Sequence, residues 1–189
     1  RLRIWSAGCS IGAEPYTIAI LLDQMGQLGR HEILATDIDG DALEVARQGE
    51  YHDMHLMTVP AAVRRRYFTP AGPSTWRLAE AIRDAVSFRR HDLLRDPLPG
   101  EFHLVLCRYV LIYLTADGQQ ALLRRLVGVL RPAGYLVVGG PETVSQPGLL
   151  GLVRQEHCIY HKPETPPAPA PGPSRPAWNW PPQRTSSGS

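Results

Sequence analysis

Two glycines and an aspartate near the start of the chain have the types and the spacing of a ligand-binding turn. Gly8 and Gly12 follow a short apolar segment, and Asp37 directly follows the next apolar segment, residues 33–36. Glycines let the backbone of a strand-to-helix turn approach a ligand closely, and a carboxylate ending the neighbouring strand can bond ribose hydroxyls. The pattern therefore predicts a nucleotide pocket in which Asp37 binds the ribose.

The same turn also fits two other kinds of site. Residues 8–12, Gly-Cys-Ser-Ile-Gly, match the G-x-S-x-G elbow of α/β-hydrolases, in which Ser10 would be the nucleophile. That elbow normally follows several strands, whereas this one follows the first, so the hydrolase hypothesis ranks lower. A nicotinamide dehydrogenase ranks lower still, because Ser10 takes the place of the second glycine in G-x-G-x-x-G.

Apolar segments with strand and helix spacing alternate along the chain. The predicted strands are 2–6, 32–36, 86–91, 103–107, 135–139 and 158–161. The predicted helices begin near Glu14, at Asp39 or Asp41, and at Thr115, and the last one includes Leu130 and ends before Pro132. This alternation predicts an α/β, Rossmann-like fold with a mostly parallel sheet, helices on both faces, and a ligand crevice at the carboxyl ends of the strands.

Two stretches do not follow this alternation of strands and helices. Residues 52–84 are long enough for a small inserted subdomain, so we expect one domain at 1–162 that contains this insertion. Residues 163–189 are rich in proline and poor in apolar side chains, which predicts a disordered tail. Trp178 and Trp180 in this tail are either anchors for a protein partner or part of a linker to another domain.

The composition excludes several functional classes. Twenty Lys and Arg residues against eighteen Asp and Glu residues give a net charge of +2, which favours neither nucleic acid nor an anionic membrane as a partner. Three widely spaced cysteines predict no disulfide framework and no metal site, and they favour a reducing, cytoplasmic location. No apolar run approaches the ~18 residues that cross a bilayer, so we expect no membrane insertion.

Five motifs in order along residues 1–162 closely resemble the chemotaxis receptor methyltransferases of the CheR type. They are Trp5-Ser6-Ala7-Gly8-Cys9-Ser10-Ile11-Gly12-Ala13-Glu14-Pro15-Tyr16, Ala35-Thr36-Asp37-Ile38-Asp39, Arg90-His91-Asp92-Leu93-Leu94, Cys107-Arg108-Tyr109-Val110-Leu111-Ile112-Tyr113 and Leu130-Arg131-Pro132-Ala133-Gly134-Tyr135-Leu136. The resemblance implies a methyltransferase that uses S-adenosylmethionine (SAM), releases S-adenosylhomocysteine, and esterifies glutamates on the cytoplasmic domain of chemoreceptors.

The resemblance also implies roles for particular side chains. The implied cofactor-binding residues are Gly8, Ser10, Gly12, Glu14, Asp37, Asp92, Leu93, Arg108 and Tyr109. Among them, Glu14 would lie near the methionine part of SAM and Asp37 on the ribose. Asp92 would lie beside the adenine, where the family has Asn. Arg108 and Tyr113 are the implied catalytic residues, because they match positions that line the methyl-transfer end of the pocket.

The chain departs from the family in ways that keep an alternative open. Tyr109 stands where the family usually has Asn, and the family's amino-terminal helical domain is not among these residues. The chain begins with Arg1, which suggests the hypothesis that it is a piece of a longer protein. The alternative function is a degenerate, non-catalytic scaffold in a chemosensory pathway. The resemblance further implies that the insertion docks the receptor, with residues 64–66, Arg-Arg-Arg, as docking candidates beside the plainer interpretation of a solvated helix face.

Overall fold

The computed structural model describes residues 1–164, which form ten strands and five α-helices. The strands are β1 (Arg3–Ala7), β2 (Glu32–Asp37), β3 (Glu50–His52), β4 (Phe68–Gly72), β5 (Thr75–Leu78), β6 (Val86–Arg90), β7 (Phe102–Cys107), β8 (Leu130–Val138), β9 (Val153–Glu156) and β10 (Ile159–His161). The helices are α1 (Ala13–Gln24), α2 (Gly40–Gln48), α3 (Ala61–Tyr67), α4 (Glu80–Asp84) and α5 (Ala116–Gly128).

Seven strands form the main sheet, in the order β6-β2-β1-β7-β8-β10-β9. The first five strands of this order pair in parallel, and β10 pairs antiparallel with β8 and β9. All six predicted strands are present, and β9 is an addition that the sequence pattern did not predict. The prediction of a mostly parallel α/β sheet is therefore confirmed.

The sheet is covered on both faces, because alternate side chains of its central strands enter two separate cores. Trp5 and Ala7 of β1 pack in the core that contains the apolar face of α5, whereas Ile4 packs in the core on the side of α1, α2 and α4. Strand β7 divides in the same way, since Val105 belongs to the first core and Leu104 packs against the second. Burial on both faces explains why these strands read as continuous apolar runs.

Helix boundaries follow the capping chemistry of the sequence, with one exception. The side chain of Asp39, rather than that of Asp41, caps α2 by accepting hydrogen bonds from the amides of residues 41 and 42. Thr115 caps α5 through the amide of Gly118. The prediction that Leu130 belongs to α5 is wrong, because this side chain is buried at the start of β8, where it pairs with β7.

The region of the predicted insertion contains a small antiparallel sheet, in the order β3-β5-β4, together with α3 and α4. Asp23 of α1 ties this part to the main sheet, because its carboxylate accepts hydrogen bonds from the hydroxyl of Tyr67 at 2.7 Å and from Arg66 at 2.9 Å. The division of the chain into domains stays a prediction. The predicted tail lies outside the described residues from residue 165 onward, and so do its two tryptophans.

Candidate functional site

An open cleft of about 990 Å³ lies at the carboxyl ends of the parallel strands. Nine of the ten residues predicted for the site line this cleft. They are Gly8, Ser10, Glu14, Asp37, Asp92, Leu93, Arg108, Tyr109 and Tyr113. They come from the segments after β1, β2, β6 and β7, which is where a parallel sheet places a ligand site.

The tenth predicted residue, Gly12, serves packing instead of lining the cleft. Both glycines of the turn have positive φ angles, 86° at Gly8 and 88° at Gly12. A Cβ atom at Gly8 would overlap the side chain of Val110, which borders the cleft. A Cβ atom at Gly12 would lie 3.0 Å from the Cβ atom of Ala46 in α2, so Gly12 allows α1 and α2 to approach each other.

Asp37 shapes the glycine turn as well as lining the cleft. Its Oδ2 atom accepts a hydrogen bond from the amide of Ser10 at 2.7 Å, and its Oδ1 atom accepts one from the amide of Asp39 at 3.0 Å. Each carboxylate oxygen can accept a further hydrogen bond. Because the side chain is only half buried, Asp37 can hold the turn in place and still bind hydroxyl groups in the cleft.

Glu14 and Arg108 form an ion pair across the cleft, although 94 residues separate them in sequence. The Nη1 atom of Arg108 lies 3.3 Å from Oε2 of Glu14, and the hydroxyl of Ser6 donates to Oε1 at 2.6 Å. The carboxylate side chain is 17% exposed. Ser6 was missed at the sequence level, although a polar residue inside the apolar segment of β1 was a signal that could have identified it.

Asp92 closes the turn that follows β6. Its Oδ1 atom accepts hydrogen bonds from the amides of Leu94 at 2.9 Å and Arg95 at 3.2 Å, and its Oδ2 atom lies 3.8 Å from the Nε atom of Arg95. The preceding residue, His91, is buried and lines the cleft. Its ring lies edge-on to Trp5, and burial lowers the pKa of His91 below its ordinary value.

The two tyrosines of the site lie at its outer border. Tyr109 is 48% exposed, and the Cζ atom of Arg108 lies 5.3 Å from the centre of its ring. The φ angle of Tyr109 is 59°, a left-handed conformation that Asn adopts more readily than Tyr. Tyr113 is 82% exposed at the rim of the cleft.

The geometry around Ser10 does not support the alternative of a hydrolase. An activated serine needs a hydrogen bond from its hydroxyl to a base, usually histidine. Within residues 1–164 the hydroxyl of Ser10 makes no hydrogen bond to a histidine, and the backbone amide of this residue is what bonds Asp37. Ser10 is therefore held in the glycine turn through its backbone amide.

The three consecutive arginines of the insertion do not share one environment. Arg64 pairs with Asp53, and its guanidinium lies 4.1 Å from the ring centre of Trp76. Arg66 pairs with Asp23 of α1 at 2.9 Å. Arg65 is exposed. Arg64 thus pairs within the insertion and Arg66 pairs the insertion with α1, whereas Arg65 makes no ion pair within residues 1–164.

Residues 1–164 contain neither a candidate metal cluster nor a membrane-spanning helix. This part of the chain contains no group of three or more His, Cys, Asp or Glu residues arranged to hold a metal ion. None of its helices combines the length and the apolar character that crossing a bilayer requires.

Comparisons with known proteins place the chain among methyltransferases. The family described as CheR methyltransferase, SAM binding domain, matches residues 1–159. A chemotaxis protein methyltransferase of Listeria innocua is 38% identical over 162 residues, which cover 86% of this chain and 62% of the relative. Chemotaxis protein methyltransferase 1 of Pseudomonas aeruginosa is 40% identical over 153 residues, covering 77% of this chain and 56% of the relative.

Solved structures share less sequence identity with this chain than the curated relatives do. A TehB-like SAM-dependent methyltransferase from Corynebacterium glutamicum has a TM-score of 0.49 and 17% identity, over 85% of this chain and 77% of that protein. The chain spans less than two thirds of the two curated relatives above, at 62% and 56% of their lengths.

Proposed function

Because the chain belongs to the CheR methyltransferase family, through the SAM-binding domain of that family, we propose that its cleft binds SAM and methylates glutamate side chains of chemoreceptors. The observation that carries this proposal is the gathering of two separately held carboxylates, Glu14 and Asp37, in one cleft at the carboxyl ends of the sheet. When bound, SAM supplies a methyl group on a positively charged sulfonium centre.

The residues of the cleft fit this cofactor. A volume of about 990 Å³ lies at the upper end of the range of ~300–1,000 Å³ that is typical of small-molecule sites. Glu14 offers a carboxylate to the ammonium group of the methionine part, and Asp37 offers one to the ribose hydroxyls. Such charge-assisted hydrogen bonds contribute about 1.5–3 kcal/mol each.

Methyl transfer to a glutamate side chain requires the protein to position the substrate, and it requires no general base. A glutamate side chain has an ordinary pKa of ~4.3 and is already ionised at neutral pH. Arg108 would orient this carboxylate. Its ion pair with Glu14 partly neutralises the guanidinium, so Arg108 would quench the nucleophile less than an unpaired arginine would. Tyr113 at the rim would contact the arriving receptor segment.

We do not favour the alternative of a non-catalytic scaffold. Its motivation was Tyr109, whose ring is half exposed beside Arg108 instead of filling the cleft. The relatives also carry the name chemotaxis protein methyltransferase.

The proposed partner is the cytoplasmic domain of a chemoreceptor, and the proposed location is therefore the cytoplasm. Three free cysteines are in keeping with a reducing compartment. We place receptor docking on the insertion, where Arg65 is exposed and makes no ion pair within residues 1–164. Acidic side chains on the receptor would complement this charge.

Two measurements test the proposed activity. Calorimetric titration with S-adenosylhomocysteine should show micromolar binding to the purified chain. Incubation with radiolabelled SAM and a receptor cytoplasmic fragment should then label the receptor, and mild base should release the label as methanol because a glutamyl methyl ester is hydrolysed under these conditions. A chain that binds no S-adenosylhomocysteine would contradict the cofactor site, and label that resists base would contradict the ester.

A charge-reversal variant tests the proposal that the insertion docks the receptor. Arg65→Glu should weaken binding to the receptor fragment about tenfold and leave the affinity for S-adenosylhomocysteine unchanged. The matched control is Arg124→Glu, which makes the same charge change at an exposed position of α5. Equal loss of receptor binding in both variants would indicate a general charge effect and would contradict docking at the insertion.

A further inference from the structure

A buried carboxylate outside the cleft is bonded to the backbone that carries its catalytic candidates. Glu142 is only 4% exposed. Its Oε2 atom accepts hydrogen bonds from the amide of Tyr109 at 2.8 Å and from the amide of Gly139 at 2.6 Å, and its Oε1 atom lies 3.4 Å from the amide of Ile112. The carboxylate thus joins the segment after β7 to the end of β8.

The surroundings are built to hold Glu142 in this position. A Cβ atom at Gly139 would lie 2.6 Å from Oε2 of Glu142 and 3.0 Å from the amide nitrogen of Tyr109, so only glycine allows this close approach. The amide of Glu142 also donates to the carbonyl of Gly139 at 3.0 Å, which closes a tight turn. Accordingly, the carboxylate has a fixed position relative to both strands.

The segment that Glu142 holds needs an external restraint. Tyr109 has a φ angle of 59°, which is unfavourable for a side chain of this size and persists only where neighbouring groups enforce it. A bond from the Tyr109 amide to a buried carboxylate supplies that enforcement. The residues on either side of Tyr109 are Arg108, which pairs with Glu14, and the 3-10 turn Leu111–Tyr113.

We propose that Glu142 is a positioning residue for the cleft: it holds residues 108–113 in the conformation that directs Arg108 toward Glu14 and places Tyr113 at the rim. This inference rests on the assignment of the cleft as the SAM site. The side chain of Glu142 does not itself line the cleft.

The test replaces Glu142 by Gln, which keeps the shape and one acceptor oxygen but sets an amide group against backbone donors. Hydrogen exchange of a peptide covering residues 108–113 should become at least about tenfold faster, and the affinity for S-adenosylhomocysteine should fall about tenfold, because part of a charge-assisted hydrogen-bond network is lost. Glu142→Asp, which retains the charge on a shorter side chain, provides the same comparison if the Gln variant is unstable.

The matched control is Tyr160→Phe. Tyr160 is buried, and within residues 1–164 its hydroxyl accepts hydrogen bonds from the amide of Val144, two residues beyond Glu142, and from Arg154, but from none of residues 108–113. This variant should lower the melting temperature without changing either exchange in 108–113 or cofactor affinity. The same two changes in Tyr160→Phe as in Glu142→Gln would reduce Glu142 to general stabilisation and overturn the proposal.

A double-mutant cycle tests the link to Tyr109. Asn tolerates the left-handed conformation, so Glu142→Gln should weaken S-adenosylhomocysteine binding by about threefold or less in a Tyr109→Asn background, against about tenfold in the native background. An equal factor in both backgrounds would contradict the proposed restraint on Tyr109. If the native chain binds no S-adenosylhomocysteine, the proposed function fails, and hydrogen exchange in residues 108–113 still decides whether Glu142 holds this segment.

Discussion

Replacing Asp37 by Ala should separate the two tasks of this carboxylate, binding ribose and holding the glycine turn. Asp37 accepts hydrogen bonds from the amides of Ser10 at 2.7 Å and Asp39 at 3.0 Å, and it retains acceptor capacity toward the cleft. Loss of charge-assisted hydrogen bonds to ribose hydroxyls should cost about 2–3 kcal/mol of binding free energy, or about 30- to 150-fold in affinity.

The structural cost of Asp37→Ala should be smaller than its binding cost. The two amides that lose their acceptor lie at exposed positions, where water can replace the carboxylate. We expect the free energy of unfolding to fall by about 1 kcal/mol. Urea denaturation would measure this change, and calorimetric titration with S-adenosylhomocysteine at neutral pH would measure the affinity.

The control for Asp37→Ala is Glu32→Gln, which removes a carboxylate charge from the opposite end of the same strand, where Glu32 pairs with Arg3 on the surface. Its affinity for S-adenosylhomocysteine should stay within about twofold of the native value, since a surface pair contributes at most about 1 kcal/mol to stability and the ligand lies elsewhere. A folded Asp37→Ala protein that binds S-adenosylhomocysteine within about threefold of the native chain would remove Asp37 from the site.

Three further predictions follow from single contacts or pKa shifts. Gly139→Ala should lower the free energy of unfolding by about 1–3 kcal/mol in urea denaturation, because the new Cβ atom would lie 2.6 Å from a carboxylate oxygen of Glu142. Gly140→Ala should change this free energy little, because a Cβ atom at Gly140 would have no atom within 4 Å. Burial lowers the pKa of His91, so the unfolded state binds the proton more readily than the folded state does. The free energy of unfolding should therefore fall as the pH drops below about 6.5 toward the lowered pKa, and it should fall less in His91→Gln. An equal fall in both proteins would contradict this pKa shift. Iodoacetamide at pH 8 should label Cys158 first by mass spectrometry, since burial and the charge of Asp37 raise the pKa of Cys9 to about 12; early labelling of Cys9 would contradict its burial.

Much of the fold could be predicted from local patterns in the sequence. Continuous apolar runs such as residues 103–107 indicated strands that are covered on both faces, and β7 is central and packed between two cores. The start of α2 could be narrowed to Asp39 or Asp41 because capping acts within one helical turn, and the structure shows that Asp39 is the cap. The end of α5 was misjudged because an apolar residue such as Leu130 suits a helix and a strand equally well.

The candidate site could be predicted as a set of residues, and the contacts among these residues could not. The types of Glu14, Asp37 and Arg108 indicated binding chemistry, and their place at strand ends indicated a shared crevice. That Arg108 pairs with Glu14 depends on how β7 lies beside β1, which no local pattern records. Gly12 was predicted to serve the ligand, but its missing Cβ atom serves the contact between two helices.

By itself the sequence determined six of the seven strands of the main sheet, the cap of α5, and the residue types available to the cleft, because periodicity and capping act over a few neighbouring residues. Only the tertiary structure decided which polar groups meet. The parallel sheet brings the segments after β1, β2, β6 and β7 to one edge, and the turn after β8 sets the carboxylate of Glu142 against the backbone of Tyr109. These contacts join residues that are far apart in sequence, so their geometry exists only once the strands have packed.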